Sequence, residues 1–342
     1  MAVDSAPDFA TQAALPPISG LRFRHFAGVS DYAAMNDVAN SSREANGVHF
    51  ITPLDGFSAF YDSFEVEHCD KARDLFVVEV DGRLVGYART EWSDEPDRTR
   101  LHEVICFLDP AFRRRGIGRA MLDAVEARAV EVLDEHPTTA AAFFQSSASG
   151  DDGADTLFTQ TGYTPIRFGY VMVRPNLDPV SDARLPDGLE IRPVEEAHLR
   201  PIWDAAVEAF RDAWGFVEPT ERDYELYATD PIQSDHSLWR VAWDGDEVAG
   251  QVRGFINHDE NERFGSNRGW VENISVRRRW RKRGLARALI AETIDALRER
   301  GMTEGALNVD TENVSGALRL YESVGFRPVS RSTTYRKPIQ LA

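Results

Sequence analysis

The run VENISVRRRWRKRGLARALI (271–290) decides the fold. A strand leads into Arg-x-x-Gly-x-Ala, and that turn opens a helix. The same order recurs in EVICFLDPAFRRRGIGRAML (103–122). The arrangement suits an anion. Glycine lets the backbone approach a ligand closely, and a helix start offers unpaired N–H groups at the positive end of its dipole. Arg281, Lys282, Arg283 and Arg287 add charge in one copy, and Arg113, Arg114, Arg115 and Arg119 in the other. The expected ligand is a diphosphate. Neither a P-loop nor a G-x-G-x-x-G fingerprint is present.

Working outward, the whole chain repeats. LRFRHF from Leu21 matches LEIRPV from Leu189, and VDGRLVGYART from Val80 matches WDGDEVAGQVR from Trp243. RRRGIGRAMLDAV from Arg113 matches RKRGLARALIAET from Arg281, and GADTLFTQTGY from Gly153 matches GALRLYESVGF from Gly316. Four collinear blocks, offset by 163 to 168 residues, mean two copies of one fold. The expected division is a disordered tail (1–20), a first domain (21–174), a Pro-rich linker (175–188) and a second domain (189–338). Each copy reads as a short strand, a helical stretch, an Asp-Gly hairpin and a strand before the turn. A long helix (117–134; 285–300), a strand (141–145; 305–309), a short helix (153–161; 314–324) and a last strand follow. The predicted class is α/β (α+β), each copy a mixed, mostly antiparallel sheet with helices on both faces.

Composition narrows the function. The 342 residues hold 39 Lys/Arg against 56 Asp/Glu, net −17, with the deficit in both halves. Such a chain is a poor binder of nucleic acid or anionic membrane, even though residues 277–283 gather six cations around Trp280. The N-terminus lacks a basic leader, and no run approaches 18 apolar residues. Two cysteines build no disulfide framework and suit a reducing, cytoplasmic setting. Cys106 reads as a small buried residue. No paired His spacing marks a metal site, and no G-x-S-x-G marks a serine nucleophile.

The second informative block is NVDTENVSGALRLYESVGFRP (308–328), where Asn313 or Ser315 caps a short helix bearing Tyr321. An Arg-x-x-Gly-x-(Gly/Ala) turn followed some thirty residues later by Asn-x-x-x-Ala-x-x-Leu-Tyr-x-x-x-Gly-Phe resembles the GNAT superfamily of acetyl-CoA-dependent N-acetyltransferases. The resemblance covers about 21–174 and 189–338, a tandem-GNAT architecture. It implies acetyl-CoA as co-substrate. The strand backbone at Ile274, Ser275 and Val276 would pair with the pantetheine arm. The turn from Arg281 through Lys282, Arg283, Gly284, Leu285 and Ala286, with Arg287, would hold the diphosphate, and Asn313 would lie near the thiol. Tyr321 corresponds to the general acid that protonates the leaving thiolate. Glu272 is the one carboxylate between Trp270 and Val276, and strict alternation gives it the face of Ile274 and Val276. It is the candidate base, although several family members carry the acid where this chain has Trp270.

The first copy keeps a possible second donor site at Leu108, Arg113, Arg114, Arg115, Gly116, Ile117, Gly118 and Arg119. Opposite Tyr321 it has Phe158, and opposite Glu272 it has Val104, so catalytic silence is expected, with His102 as the alternative base. For the acceptor, Phe210, Trp214 and Phe216 read as an apolar wall and Asp212 as an anchor for a small-molecule or peptide amine. The competing reading is a non-catalytic acyl-CoA-binding regulator.

Overall fold

The computed structural model describes residues 15–64, 68–95, 98–150, 152–312 and 316–340. Of the expected tail, 1–14 lie outside the described residues, while Leu15 and Ile18 pack on a hydrophobic core. The chain forms two compact units, 1–167 with 332–342, and 168–331.

In unit 1, β1 (Leu21–His25), β2 (Leu75–Val80), β3 (Arg83–Asp94) and β4 (Arg100–Leu108) form an antiparallel meander. Asp81 and Gly82, both with positive φ, make the β2–β3 turn. Strand β5 (Ala142–Ser149) runs parallel to β4, with α4 (Ile117–Glu135) as the crossover. Helix α4 presents Ile117, Met121, Val125 and Leu133 to one sheet face, against Phe76, Val78 and Val104. Helices α1 (Tyr32–Ala45) and α2 (Leu54–Asp62) cover the other face through Tyr32, Met35, Phe57 and Tyr61 against Val77 and Tyr87. A short α3 (Lys71–Asp74) precedes β2, and α5 (Asp152–Gln160) follows β5.

Unit 2 repeats the plan. Strands β7 (Glu190–Arg192), β8 (Trp239–Asp244), β9 (Glu247–Phe255) and β10 (Arg268–Val276) are antiparallel, and β11 (Glu304–Asp310) is parallel to β10. Helix α9 (Leu285–Glu299) packs Leu289, Ile290, Ile294 and Leu297 on one face, beside α10 (Ala317–Ser323). It ends at Gly301 (φ 82°), where Gly301 N–H and Met302 N–H close on Arg298 and Leu297 carbonyls, a Schellman stop. Helices α6 (Leu199–Phe210) and α7 (Glu221–Thr229) lie with Trp239, Val241 and Trp243 on the other face, and α8 (His258–Phe264) joins β9 to β10.

The last strands depart from the expected boundaries. Strand β6 (Thr164–Arg174) enters unit 2 at Phe168, where Gly169–Arg174 pair with β11. Strand β12 (Arg327–Pro338) returns to unit 1 at Ser332, and residues 332–338 pair with β5. Each repeat gives its final strand to the other unit. The repeat pattern could not reveal this, because both copies carry a final strand and nothing local names its partner.

Both units bring a glycine beneath the strand that feeds the Arg/Gly turn. A Cβ on Gly250 would stand 2.7 Å from the Ser275 carbonyl oxygen, and one on Gly86 3.0 Å from that of Phe107. Close contact with backbone cannot be relieved by a rotamer change. Gly250→Ala is expected to lower stability by about 1–3 kcal/mol, read by urea denaturation; an unchanged midpoint would show that β10 moves freely.

Candidate active site

The turn is built the same way twice. After β10, Trp280 is buried and its Nε1 donates to Asp244 (2.9 Å). Lys282 (φ 60°) and Gly284 (φ 86°) are left-handed, and α9 starts without a side-chain cap. In unit 1, Arg114 (φ 60°) and Gly116 (φ 86°) repeat the geometry before α4. Ala288 N–H already reaches Gly284 O, so the N–H groups of Leu285, Ala286 and Arg287 precede the first intrahelical acceptor. Apart from its own chain neighbours, no heavy atom of the described residues lies within 4 Å of where a Gly284 Cβ would stand. An uncapped helix start with open space above its glycine fits a phosphate. The Leu285 side chain is core, so only its backbone faces that duty.

The arginines divide their work. Lys282 and Arg283 are exposed. Arg283 Nη2 donates to Asp187 O (3.3 Å), and Arg287 donates to Ser181 O and to Ser323 Oγ (2.9 Å). Arg281, expected on the diphosphate, instead donates to Val276 O, Ala209 O and Asp212. Its counterpart Arg113 donates to Ser42 and Asn46 at the end of α1. In each unit the first arginine of the motif ties the turn to the first long helix. This corrects the reading of Asp212 as an amine anchor. Arg278 and Arg281 both bond its carboxylate and hold its pKa well below the usual range. Nor do the aromatic neighbours make a packed wall: Trp214 is exposed, and Phe210 and Phe216 are half-buried. Arg277 pairs with Glu208 and Arg279 with Glu247, so this basic run is largely neutralised by acids of its own unit.

Strand β10 carries a bulge that alternation does not foresee. Glu272 opposes Arg253 and Ser275 opposes Gln251, so two residues, 273 and 274, face one. Asn273 takes φ 51°, a conformation that Asn tolerates better than most residues. Opposed residues of an antiparallel pair share a face, so Glu272 sides with Arg253, Gln251 and Ser275. Ile274 and Val276 instead pack toward the α9 core. The three do not share one face; the extra residue inverts the alternation.

Beyond Trp270 the parallel ladder between β10 and β11 ends. The strands part there, and Glu272 spans the opening. Its Oε1 accepts from Asn308 N (2.8 Å) and Asn308 Nδ2 (2.7 Å). Burial pushes the Glu272 carboxyl up to about 7, against the opposing pull of these Asn308 donors and of the Asn273 backbone. Tyr321, on α10, is buried beside Phe326. Burial first, and the Glu272 charge second, hold its hydroxyl well above the usual phenol value, so it stays protonated at neutral pH. A carboxylate poised near neutrality thus lies within electrostatic reach of a phenol that keeps its proton. Asn313 and Ser315 lie outside the described residues; the N-cap of α10 is Gly316, with no side-chain cap. Trp270 is buried, stacked on Phe255, and donates to Glu260.

In unit 1 the β4–β5 ladder likewise ends at Glu103–Gln145, and the residues beyond line a cleft of about 870 Å³. Leu108, Arg113, Arg114, Gly116, Gly118 and Arg119 line it, with Phe158. The Ile117 side chain lies in the core, and Arg115 sits over the Phe112 ring. Strand β4 has no bulge. Register therefore matches Trp270 with Glu103, since each closes its parallel ladder, and Glu103 faces the cleft with Arg89. Val104 and His102 are fully buried, and neither lines the cleft. Cys106, expected to be buried, is exposed and lines it; the parting of β4 from β5 uncovers this stretch. Reasoning from sequence missed Asn308, the Asn273 bulge and the use of Asp212. Only an Asn in mid-strand hinted at the bulge.

The sequence pattern of the Acetyltransferase (GNAT) family matches residues 43–144 and 203–326. The mycothiol acetyltransferase of Salinispora arenicola is 30% identical over 274 residues, covering 78% of this chain and 82% of that protein. Among solved structures, a GCN5-related N-acetyltransferase from Sphaerobacter thermophilus superposes with a TM-score of 0.67 at 24% identity, covering 96% of this chain and 98% of that one. A tandem GNAT protein from the clavulanic acid biosynthesis pathway gives 0.65 at 16%, covering 94% and 99%. These two likenesses concern the fold.

Glu272 is expected to titrate near 7 by carboxyl-resolved NMR. Asn308→Ala removes a donor that favours the charged form, so the midpoint should rise further. A midpoint at an ordinary glutamate value in the parent would contradict the geometry.

Proposed function

The chain belongs to the acetyltransferase (GNAT) family, with two GNAT regions, and from that premise we propose that its second unit transfers acetyl from acetyl-CoA directly to a primary amine. The observation that carries this reading is Glu272, buried where the strands part and held there by Asn308, with the buried Tyr321 within reach of its charge. Acetyl-CoA supplies an acetyl group activated as a thioester. The N–H groups at 285–287, with Lys282 and Arg283, hold its diphosphate. Backbone groups of β10 that β11 no longer reaches receive the pantetheine arm along Ile274–Val276 and polarise the carbonyl oxygen. Glu272 Oε takes the amine proton, directly or through water, and Asn308 keeps that carboxylate aimed. The Tyr321 hydroxyl gives its proton to the departing sulfur. The relatives' name makes a mycothiol-type small molecule the first acceptor to assay, ahead of a peptide.

Unit 1 is assigned a second donor-binding role without turnover. Its cleft and uncapped helix start support binding, and Phe158 has no hydroxyl to donate.

Tyr321→Phe is expected to cut turnover about 10²–10⁴-fold with acetyl-CoA affinity nearly unchanged; an unaltered rate would remove its role. Turnover in the parent should rise with pH through about 7, because the base works only when deprotonated, and Glu272→Gln should abolish that limb. Calorimetry is expected to count two acetyl-CoA per chain, and one per chain would confine the donor to a single unit.

A further inference from the structure

The first unit's cleft has a wall that donor binding does not use. Helices α1 and α2 and the facing sides of β3 and β4 bring Phe60, Tyr61, Tyr87 and Phe107 together with two guanidinium groups, Arg43 and Arg89. Arg89 is buried, ion-paired to Glu91 and flanked by the Phe60, Tyr61 and Phe64 rings, and its Nε has no acceptor among the described residues. Arg43 is different. Its Nη1 is fixed by Asn40 Oδ1 (3.3 Å) and Thr52 Oγ1 (3.0 Å), and the group lies over the Phe107 ring at 5.3 Å. Among the described residues no carboxylate pairs with it, and its Nε and Nη2 take no partner. Burial lowers its pKa from the ordinary arginine value, the mark of a cation short of compensation. The only acid lining the cleft among the described residues, Glu103, is pushed upward by burial and already bonded to Gln145. In a chain of net charge −17, this cleft holds an excess of arginine.

A guanidinium pinned through one nitrogen presents the Nε–Nη2 edge as a fork that matches a carboxylate's two oxygens. Aromatic walls beside it favour a flat or apolar body. The same charge repels an ammonium group, so this wall does not duplicate an amine-acceptor site.

We propose that the first unit's cleft recognises an organic carboxylate through Arg43, with Arg89 and the aromatic wall behind it. The carboxylate comes either from a free small molecule or from the far end of an acyl group carried on CoA. The second version rests on the donor site proposed for unit 1; the first does not.

The test uses the full chain and calorimetric titration. One arm compares benzoate with its neutral isostere benzamide. The other compares succinyl-CoA with acetyl-CoA. Each is repeated with Arg43→Gln and Arg43→Lys, whose folding is checked by thermal melts and by acetyl-CoA affinity at unit 2. A free ligand predicts saturable benzoate binding, no benzamide binding, at least a tenfold loss in Arg43→Gln and partial recovery in Arg43→Lys. An acyl carboxylate predicts that succinyl-CoA outbinds acetyl-CoA at one of two sites by at least tenfold, a preference that Arg43→Gln erases. No charge preference in either arm, or preferences unmoved by Arg43→Gln, overturns the proposal. Failure of acetyl-CoA alone to occupy unit 1 removes the donor reading and leaves the benzoate arm decisive.

Discussion

Two parallel strands that start as neighbours and then separate are the constraint on which the rest of the structure depends. In unit 2 the ladder between β10 and β11 holds from Arg268 to Trp270 and stops. Parting leaves backbone groups without sheet partners, which is costly unless something else satisfies them. Glu272 does part of this by accepting from the Asn308 backbone N–H, where a strand carbonyl would otherwise stand. The bulge at Asn273 then reverses the facing of the rest of β10, which leads through the turn at 277–284 into the uncapped start of α9. Exposed strand edge, anion cradle and buried carboxylate follow from one interruption of pairing.

The two units use that interruption differently. Unit 2 fills the opening with a carboxylate whose charge reaches a buried tyrosine on α10. Unit 1 keeps a straight β4, bridges to β5 by a Ser146 Oγ bond to Val104 O, and places Phe158 on the helix that follows. Charge follows the same division. The arginines at 277, 278, 279 and 281 are met by Glu208, Asp212 and Glu247. Four of the six cations in that run are thus paired with acids of their own unit. In the first unit's cleft Arg89 is met by Glu91 and Arg119 by Asp123, while Arg43 has no carboxylate partner among the described residues.

Much of this was legible in the sequence. Duplication, the strand–turn–helix unit, both Asp-Gly hairpins and the Tyr321/Phe158 contrast all depend on local pattern, and local pattern is what a sequence displays. Helix limits of 117–134 and 285–300 meet observed limits of Ile117–Glu135 and Leu285–Glu299. What escaped depends on partners far along the chain. The exchange of β6 and β12 is decided by pairing, not by the strands' own residues. The face of Glu272 turned on a single extra residue. Arg281 looked like a phosphate ligand because its partners, Ala209 O and Asp212, lie some seventy positions earlier.

The central claim is that the open edge of β10 and the start of α9 grip one ligand together. Amide hydrogen exchange of the full chain, with and without acetyl-CoA, tests it most directly. The account predicts new protection at residues 273–276 and 284–287, moving together as the ligand is titrated. Protection elsewhere with those amides unchanged would contradict it.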